Sequence, residues 1–322
     1  MSENLNATTN ETQPSSCSFN PTAEKFGKIF AYCLSFLVSL AGSTVIGIIV
    51  CKTKAMRKPI NYFIVNMAMS DLLFSIFSMS RHIQMLFIDS WLIGGSLGQA
   101  LCKLVEFLSD VSIFVSIQSL VLIAVDRFGA VVYPLRYPPI SSKLCPFFIL
   151  ATWIVAMAVL SPYLFAMKMF EYRGQLECRM HWSEVFGESL SFKKYFVAIL
   201  VVFIVIPFIL IATLYIIISL KLKSQKIPGE QSANAEEKRR QREQNVLKMS
   251  IAIVSGFAIC WLPVFIGYFL VFFAVNTLMM SCGFQYFSSV AFLMANANCA
   301  INPCICFIFS RNYRLGLKTL LR

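Results

Sequence analysis

Met249–Ser310 is a stretch of 62 residues without one charged side chain. A bilayer-spanning helix needs about 20 mostly apolar residues. The stretch is therefore too long for one crossing and right for two joined by a short loop. Asn276, Thr277, Ser281, Cys282 and Gly283 mark that loop. Three further charge-free runs are Ile29–Cys51 (23 residues), Leu144–Met167 (24) and Tyr195–Leu220 (26). Two apolar stretches are interrupted. Pro59–Ser80 carries Asp71 as its one charge, and Gln99–Val132 contains the clean run Val111–Val125. The count predicts an all-α membrane protein, a seven-transmembrane helix bundle. Composition agrees, with 57% hydrophobic and 14% charged residues. Soluble domains carry about 25% charged residues, so a soluble enzyme, a disordered chain and a coiled coil are all excluded.

The net charge of +12 resembles a nucleic-acid signal until the charges are placed. Segments 52–58, 126–143, 221–248 and 311–322 hold 19 of the 28 basic residues and five of the 16 acids, a net +14. Basic loops stay in the cytoplasm. The run Lys238, Arg239, Arg240, Arg242 is thus a topology signal, and no nucleic-acid partner is expected. The N-terminus falls outside the cell, in a multi-pass protein of the plasma membrane. Asn6 and Asn10 both open N-glycosylation sequons, which fits residues 1–27 as an extracellular glycosylated segment. Residues 28–309 form the seven-helix domain. No separate apolar segment precedes Ile29, so the first span is expected to act as start signal rather than a cleaved leader. In residues 310–322, Leu315, Leu317, Leu320 and Leu321 alternate with Arg314, Lys318 and Arg322. This pattern predicts a short cytoplasmic amphipathic helix lying on membrane lipids.

Ionisable and amide side chains inside a span are costly and mark function. Asp71 sits in the second span. Ser112 and Ser116 lie one turn apart on the third, and Asn298 and Asn302 one turn apart on the seventh. A carboxylate, hydroxyls and amide oxygens suit a sodium ion or a water cluster. At the cytoplasmic side, Asp126-Arg127 closes the third span and Glu243 opens the sixth. Arg127 could pair locally with Asp126 and across helices with Glu243, as a clamp that one state holds and another releases; ordinary juxtamembrane charge is the plainer reading. Pro162, Pro207, Pro263 and Pro303 fall inside four spans and predict helices that bend.

Taken in order, these residues resemble the rhodopsin-like (class A) G-protein-coupled receptors over about residues 28–322. The resemblance rests on Asn66, Ala68 and Asp71, on Cys102 before the third span, and on Asp126-Arg127-Phe128. It continues through Trp153, Pro207 with Tyr215, Phe257 with Cys260-Trp261-Leu262-Pro263, and Asn302-Pro303. Three departures stand out. Gly42-Ser43 replaces the family's Gly-Asn, Phe128 replaces a commoner Tyr, and Cys306 stands where the family has a Tyr that joins a water network with the residue here numbered Tyr215. The resemblance implies that an agonist binds among the outer helix ends, that Trp261 and its neighbours repack, and that the sixth helix swings outward to expose Arg127 to a heterotrimeric G protein. It implies a sodium site at Asp71, Ser116, Asn298 and Asn302 as an allosteric cation and no other cofactor. It also implies a Cys102–Cys178 disulfide, which leaves Cys17 and Cys282 as a candidate second pair.

Cys102, Glu106, Ser109 and Asp110 share one face of the third span. The family's amine receptors carry Asp at the place of Ser109, which argues against a monoamine. Asn296 stands where opsins carry their retinal Lys. What remains is a pocket with Glu106 and Asp110 facing Arg81, His82 and Gln84, and with Phe265, Tyr268 and Phe292 as aromatic walls. The second outer loop adds Glu171, Glu177, Glu184 and Glu188. Carboxylates with aromatics suit a cationic, amidated or Arg-bearing peptide, and the pattern looks like the neuropeptide branch. If Arg81 instead pairs with Glu106, a lipid or small organic acid becomes the alternative ligand. A transporter is more distant, because no internal repeat is present. With two His and neither an H-E-x-x-H nor a G-x-S-x-G motif, an enzyme is not expected.

Overall fold

The computed structural model describes residues 21–88, 90–133, 141–172, 174–187, 191–224, 233–273 and 281–321. Among them, seven helices are long and apolar enough to cross a membrane. We label these α1 (Pro21–Lys52), α2 (Pro59–Phe87), α3 (Gly95–Val132), α4 (Cys145–Ala166), α5 (Phe192–Ser224), α6 (Ala233–Phe273) and α7 (Cys282–Phe309). A further helix, α8 (Arg311–Leu320), follows α7 after the single residue Ser310. Between α4 and α5 lies an antiparallel hairpin of β1 (Met167–Tyr172) and β2 (Gln175–Met180). The chain is a multi-pass membrane protein with an all-α bundle. Its two ends are distinct: one carries the hairpin, and the other carries the basic segments around Lys52, Arg127, Lys221 and Arg311.

α3 is the bundle's axis. Val111, Val115, Ile117, Leu120, Ile123 and Ala124 are all buried along it. They pack with Ile46, Phe63, Ile64, Met67, Ile211 and Phe257 of the surrounding helices into the core. Elsewhere apolar side chains point outward, as Phe30, Leu37, Phe147, Ile209 and Ile259 do. In a span this is the surface lipid covers, since hydrocarbon solvates Leu and Phe as well as a protein interior does. Two helices begin well before their charge-free runs. α1 extends back through Glu24 and Lys28, which pair at 2.6 Å one turn apart. α3 extends back through Lys103, Glu106 and Asp110.

The four prolines act in different ways. Pro263 and Pro303 lie within continuous helix. α4 is interrupted at Ser161, immediately before Pro162. α5 widens into a π turn at Val201–Val205, just before Pro207. α2 has a π turn as well, Ser75–Met79, with no proline near it. There the Ser75 hydroxyl bonds the Asp71 carbonyl at 2.9 Å, in competition with the helix's own ladder.

α8 docks under α1 and α2. Tyr313 is buried, and its hydroxyl donates to Asn61 Oδ1 at 3.2 Å. Burial pushes the Tyr313 phenol well above its ordinary value. Gly316 abuts the Ile49 side chain, where a Cβ would collide. Gly316→Val should therefore push α8 off this seat and destabilise the protein by about 1–3 kcal/mol, the usual cost of overpacking. Gly47 has open space around its Cβ position. Thermal melting of the purified protein checks this: Gly316→Val should melt lower than wild type, and Gly47→Ala should not.

Candidate functional site

Three polar regions lie along the bundle axis. The first is a cavity of about 550 Å³ at the hairpin end, enclosed by α2–α7 and roofed by β2. Its lining includes Arg81, His82, Glu106, Ser109, Asp110, Phe265, Tyr268 and Phe292, as the sequence predicts. Trp261 lines it too. The roof is held by the Cys102–Cys178 disulfide, with Cα atoms 5.7 Å apart, and by the Trp91 N–H donating to the Leu176 carbonyl at 2.6 Å. Arg81 Nε lies 3.7 Å from Glu106 Oε1, and its guanidinium sits 4.9 Å over the Trp91 ring. His82 brings Nδ1 to 2.7 Å from the Ser78 carbonyl and packs its ring between Tyr32 and Phe292.

Two expectations about this region need correction. Gln84 does not line the cavity; its side-chain amide donates to the Ser90 carbonyl at 2.8 Å, beyond the end of α2. The second loop is also less of a negative field than its composition implies. Glu177 pairs with Arg179 at 2.7 Å, and Glu184 takes bonds from Lys168 and His181, each at 2.8 Å. Those bonds, Lys168's first, hold the Glu184 carboxyl below its ordinary value. They support the loop at neutral pH and are lost as acid protonates that carboxyl. Glu188 lies outside the described residues. Sequence reasoning missed Tyr163, Phe192 and Phe196 in the walls and Arg179 and Met180 in the roof. The hairpin that brings in the last two has a weak period-2 pattern, MKMFEY and QLECRM, and Gly174 with φ +77° is its one clear turn signal.

The second region is buried at mid-bundle. Asp71 Oδ1 accepts from the Ser116 hydroxyl at 3.0 Å, and Oδ2 accepts from Asn302 Nδ2 at 2.8 Å. Ser70, which sequence reasoning did not single out, bonds Ser116 at 2.7 Å. The amide oxygens of Asn298 and Asn302 and the Ser43 hydroxyl are buried with no hydrogen-bond partner among the described residues. The Ser112 hydroxyl donates to the Leu108 carbonyl of its own helix at 2.7 Å and makes no hydrogen bond to Asp71 among the described residues. Nearby, Asn66 receives the Trp153 indole N–H at 2.9 Å and donates to Ser119 at 2.9 Å, tying α2, α3 and α4 together.

The third region is the basic end. Asp126 is wholly buried, and its Oδ2 accepts from both Nε and Nη2 of Arg127. The ion pair given to Arg127 is thus with its chain neighbour; Glu243 begins the membrane-crossing part of α6. Phe128 meets the Tyr133 ring edge-on. Tyr215 is buried between α5 and its neighbours, and Cys306 is buried on α7 while Cys304 is exposed. A ladder of rings runs inward from the cavity: Phe265, Trp261, Phe257 and Phe208 follow one another at 5.9 Å, with Phe74 edge-on to Trp261 at 5.3 Å. Asn6, Asn10 and Cys17 lie outside the described residues, and Cys282 is disulfide-bonded.

Residues 42–305 match the profile of the seven-transmembrane receptors of the rhodopsin family. The chain is 29% identical over 317 residues to a QRFP-like peptide receptor of Branchiostoma floridae, covering 94% of this chain and 79% of that protein. It is 28% identical over 294 residues to a substance-P receptor of Aquarana catesbeiana, covering 91% and 69%. A substance-K receptor of Homo sapiens is 28% identical over 292 residues, covering 91% and 72%.

Proposed function

The chain belongs to the rhodopsin family of seven-transmembrane receptors, and from that premise we propose that it is a G-protein-coupled receptor for an extracellular peptide, set in the plasma membrane with its N-terminus outside. The observation that carries the ligand reading is the cavity itself. It opens toward the hairpin end, holds both charged and aromatic side chains, and reaches Trp261 at its floor. The relatives named as receptors for peptides support the same ligand class. The excess of Lys and Arg at the opposite end supports the orientation. A ligand that presses on Trp261 acts on the ring ladder along α6. An outward swing of α6 then separates its basic end from α3 and exposes Arg127 to the G protein. At the same end α8 rests on the inner leaflet, with Leu315 and Leu321 turned outward for lipid.

At mid-bundle, Asp71, Ser116, Asn298 and Asn302 would hold a sodium ion. Asp71 supplies the charge, and the unpartnered amide oxygens of Asn298 and Asn302 are the ligands a hard cation prefers. Bound there, the ion supplies a positive charge that bridges α2, α3 and α7. Exchanging choline for sodium at constant ionic strength should lower the melting temperature of the wild-type receptor. Asp71→Asn should erase that difference. A wild-type melt that ignores sodium would make the site a water cluster.

A lipid or small organic acid is the second reading, and the proximity of Arg81 to Glu106 favours it. A screen of amidated peptides with calcium and cyclic-AMP readouts, run beside a panel of fatty and organic acids, separates the two. Peptide responses absent from untransfected cells support the proposal; responses to the acids alone overturn it.

A further inference from the structure

Four charged side chains line the cavity, and three have partners within the protein. Arg81 lies against Glu106 at 3.7 Å and over the Trp91 ring, and Arg179 is paired with Glu177 at 2.7 Å. Both pairs cancel. Asp110 lies one turn from Glu106 on the same face of α3 and has no ion-pair partner among the described residues. Its neighbour Ser109 offers no help, because that hydroxyl donates to the Val105 carbonyl at 2.7 Å. Asp110 is therefore the one Asp, Glu, Lys or Arg side chain of the lining without an ion-pair partner among the described residues. An uncompensated carboxylate inside a span is costly, and it is kept where something outside the fold neutralises it. The walls it shares with Tyr163, Phe196 and Tyr268 present aromatic faces, which also favour a cation.

We propose that Asp110 anchors a cation on the ligand, while Glu106 serves to seat Arg81 and makes no ion pair with ligand. This rests on the peptide-receptor reading and deepens it. A guanidinium fits the anchor best, because its planar fork can take both carboxylate oxygens and lie against the rings. The ligand's deepest group is then an Arg side chain or a comparable amidine-like cation, not an acid and not a neutral acyl chain.

The test uses the full chain, purified and reconstituted in nanodiscs, with two probes that differ in one charge: N-acetyl-Trp-Arg-amide and N-acetyl-Trp-citrulline-amide. Stabilisation against heating is followed over probe concentration. The Arg probe should act on wild type at a concentration at least about tenfold lower than the citrulline probe, as expected for losing one charge-assisted hydrogen-bonded pair. Asp110→Asn should reduce that ratio to about one, and Glu106→Gln should keep it. Equal potency of the two probes on wild type overturns the anchor without any variant being needed, as does the absence of any shift with the Arg probe. Persistence of the ratio in Asp110→Asn, or its loss in Glu106→Gln, overturns the assignment to Asp110. An equipotent citrulline probe leaves the peptide reading standing, whereas stabilisation by a fatty acid with neither peptide acting removes both.

Discussion

Replacing Cys102 or Cys178 with Ser should remove nearly all functional receptor from the cell surface. The bridge joins the first turns of α3 to β2 at the centre of the hairpin, where Cys178 faces Met169 in the register. The hairpin roofs the cavity and is otherwise attached through a few contacts: Trp91 to Leu176, and Gln99 to the Met167 carbonyl and the Met169 N–H. Losing a native disulfide costs about 2–5 kcal/mol, a large part of the total stability of most domains. Without it the roof is free to leave, and with it go Arg179 and Met180 of the lining. Surface labelling of an N-terminally tagged receptor measures the loss. Wild-type surface levels and agonist response in either Cys→Ser variant would contradict this account of the roof.

Asp126→Ala should raise ligand-independent signalling and lower the melting temperature together. Asp126 is fully buried, and its Oδ2 is the acceptor for two nitrogens of Arg127, which is itself 19% exposed. Removing one member of a buried pair strands the other, at a cost of about 3 kcal/mol. The stranded guanidinium gains most by turning toward water at the basic end, the side on which the proposed G-protein contact lies. Basal nucleotide exchange at matched surface density should rise several-fold. A variant that melts lower with unchanged basal exchange would make the pair purely structural. Glu243→Ala should raise basal exchange as well if α6 contributes the second arm of the clamp.

Most of the architecture is legible in the sequence because lipid imposes a strict rule on charge. The break in Met249–Ser310 separates α6 from α7 by counting alone. The rule is weaker at helix ends, where Glu24 and Lys28 neutralise one another and let α1 start eight residues before its apolar run. It says nothing about polar turns inside a helix. The π turn of α2 comes from serine hydroxyls rather than from a proline, and the proline pattern therefore gives no sign of it. Side-chain partners are the least legible. Asp71, Ser116 and Asn302 meet as their spans imply, whereas the Ser112 hydroxyl and the Gln84 amide each donate to a backbone carbonyl close to them in the chain. Such local bonds are open to every Ser and Gln, so spacing alone cannot separate a side chain that faces the bundle from one that serves its own backbone. The hairpin is invisible for a further reason: its strands are six residues each, MKMFEY breaks alternation at Met169-Phe170, and its place is set by a disulfide to a residue 76 positions away.

In the proposed mechanism, ligand in the cavity at the hairpin end drives nucleotide exchange at the basic end. GTPγS loading of heterotrimeric G proteins by membranes containing this chain tests it most directly, with an amidated-peptide library as ligand and the Asp110→Asn and Asp126→Ala variants beside the wild type. A peptide fraction should stimulate loading in wild type and much less in Asp110→Asn, and loading should already be high without peptide in Asp126→Ala. Loading that no peptide fraction changes and that all three proteins share with empty membranes would contradict it.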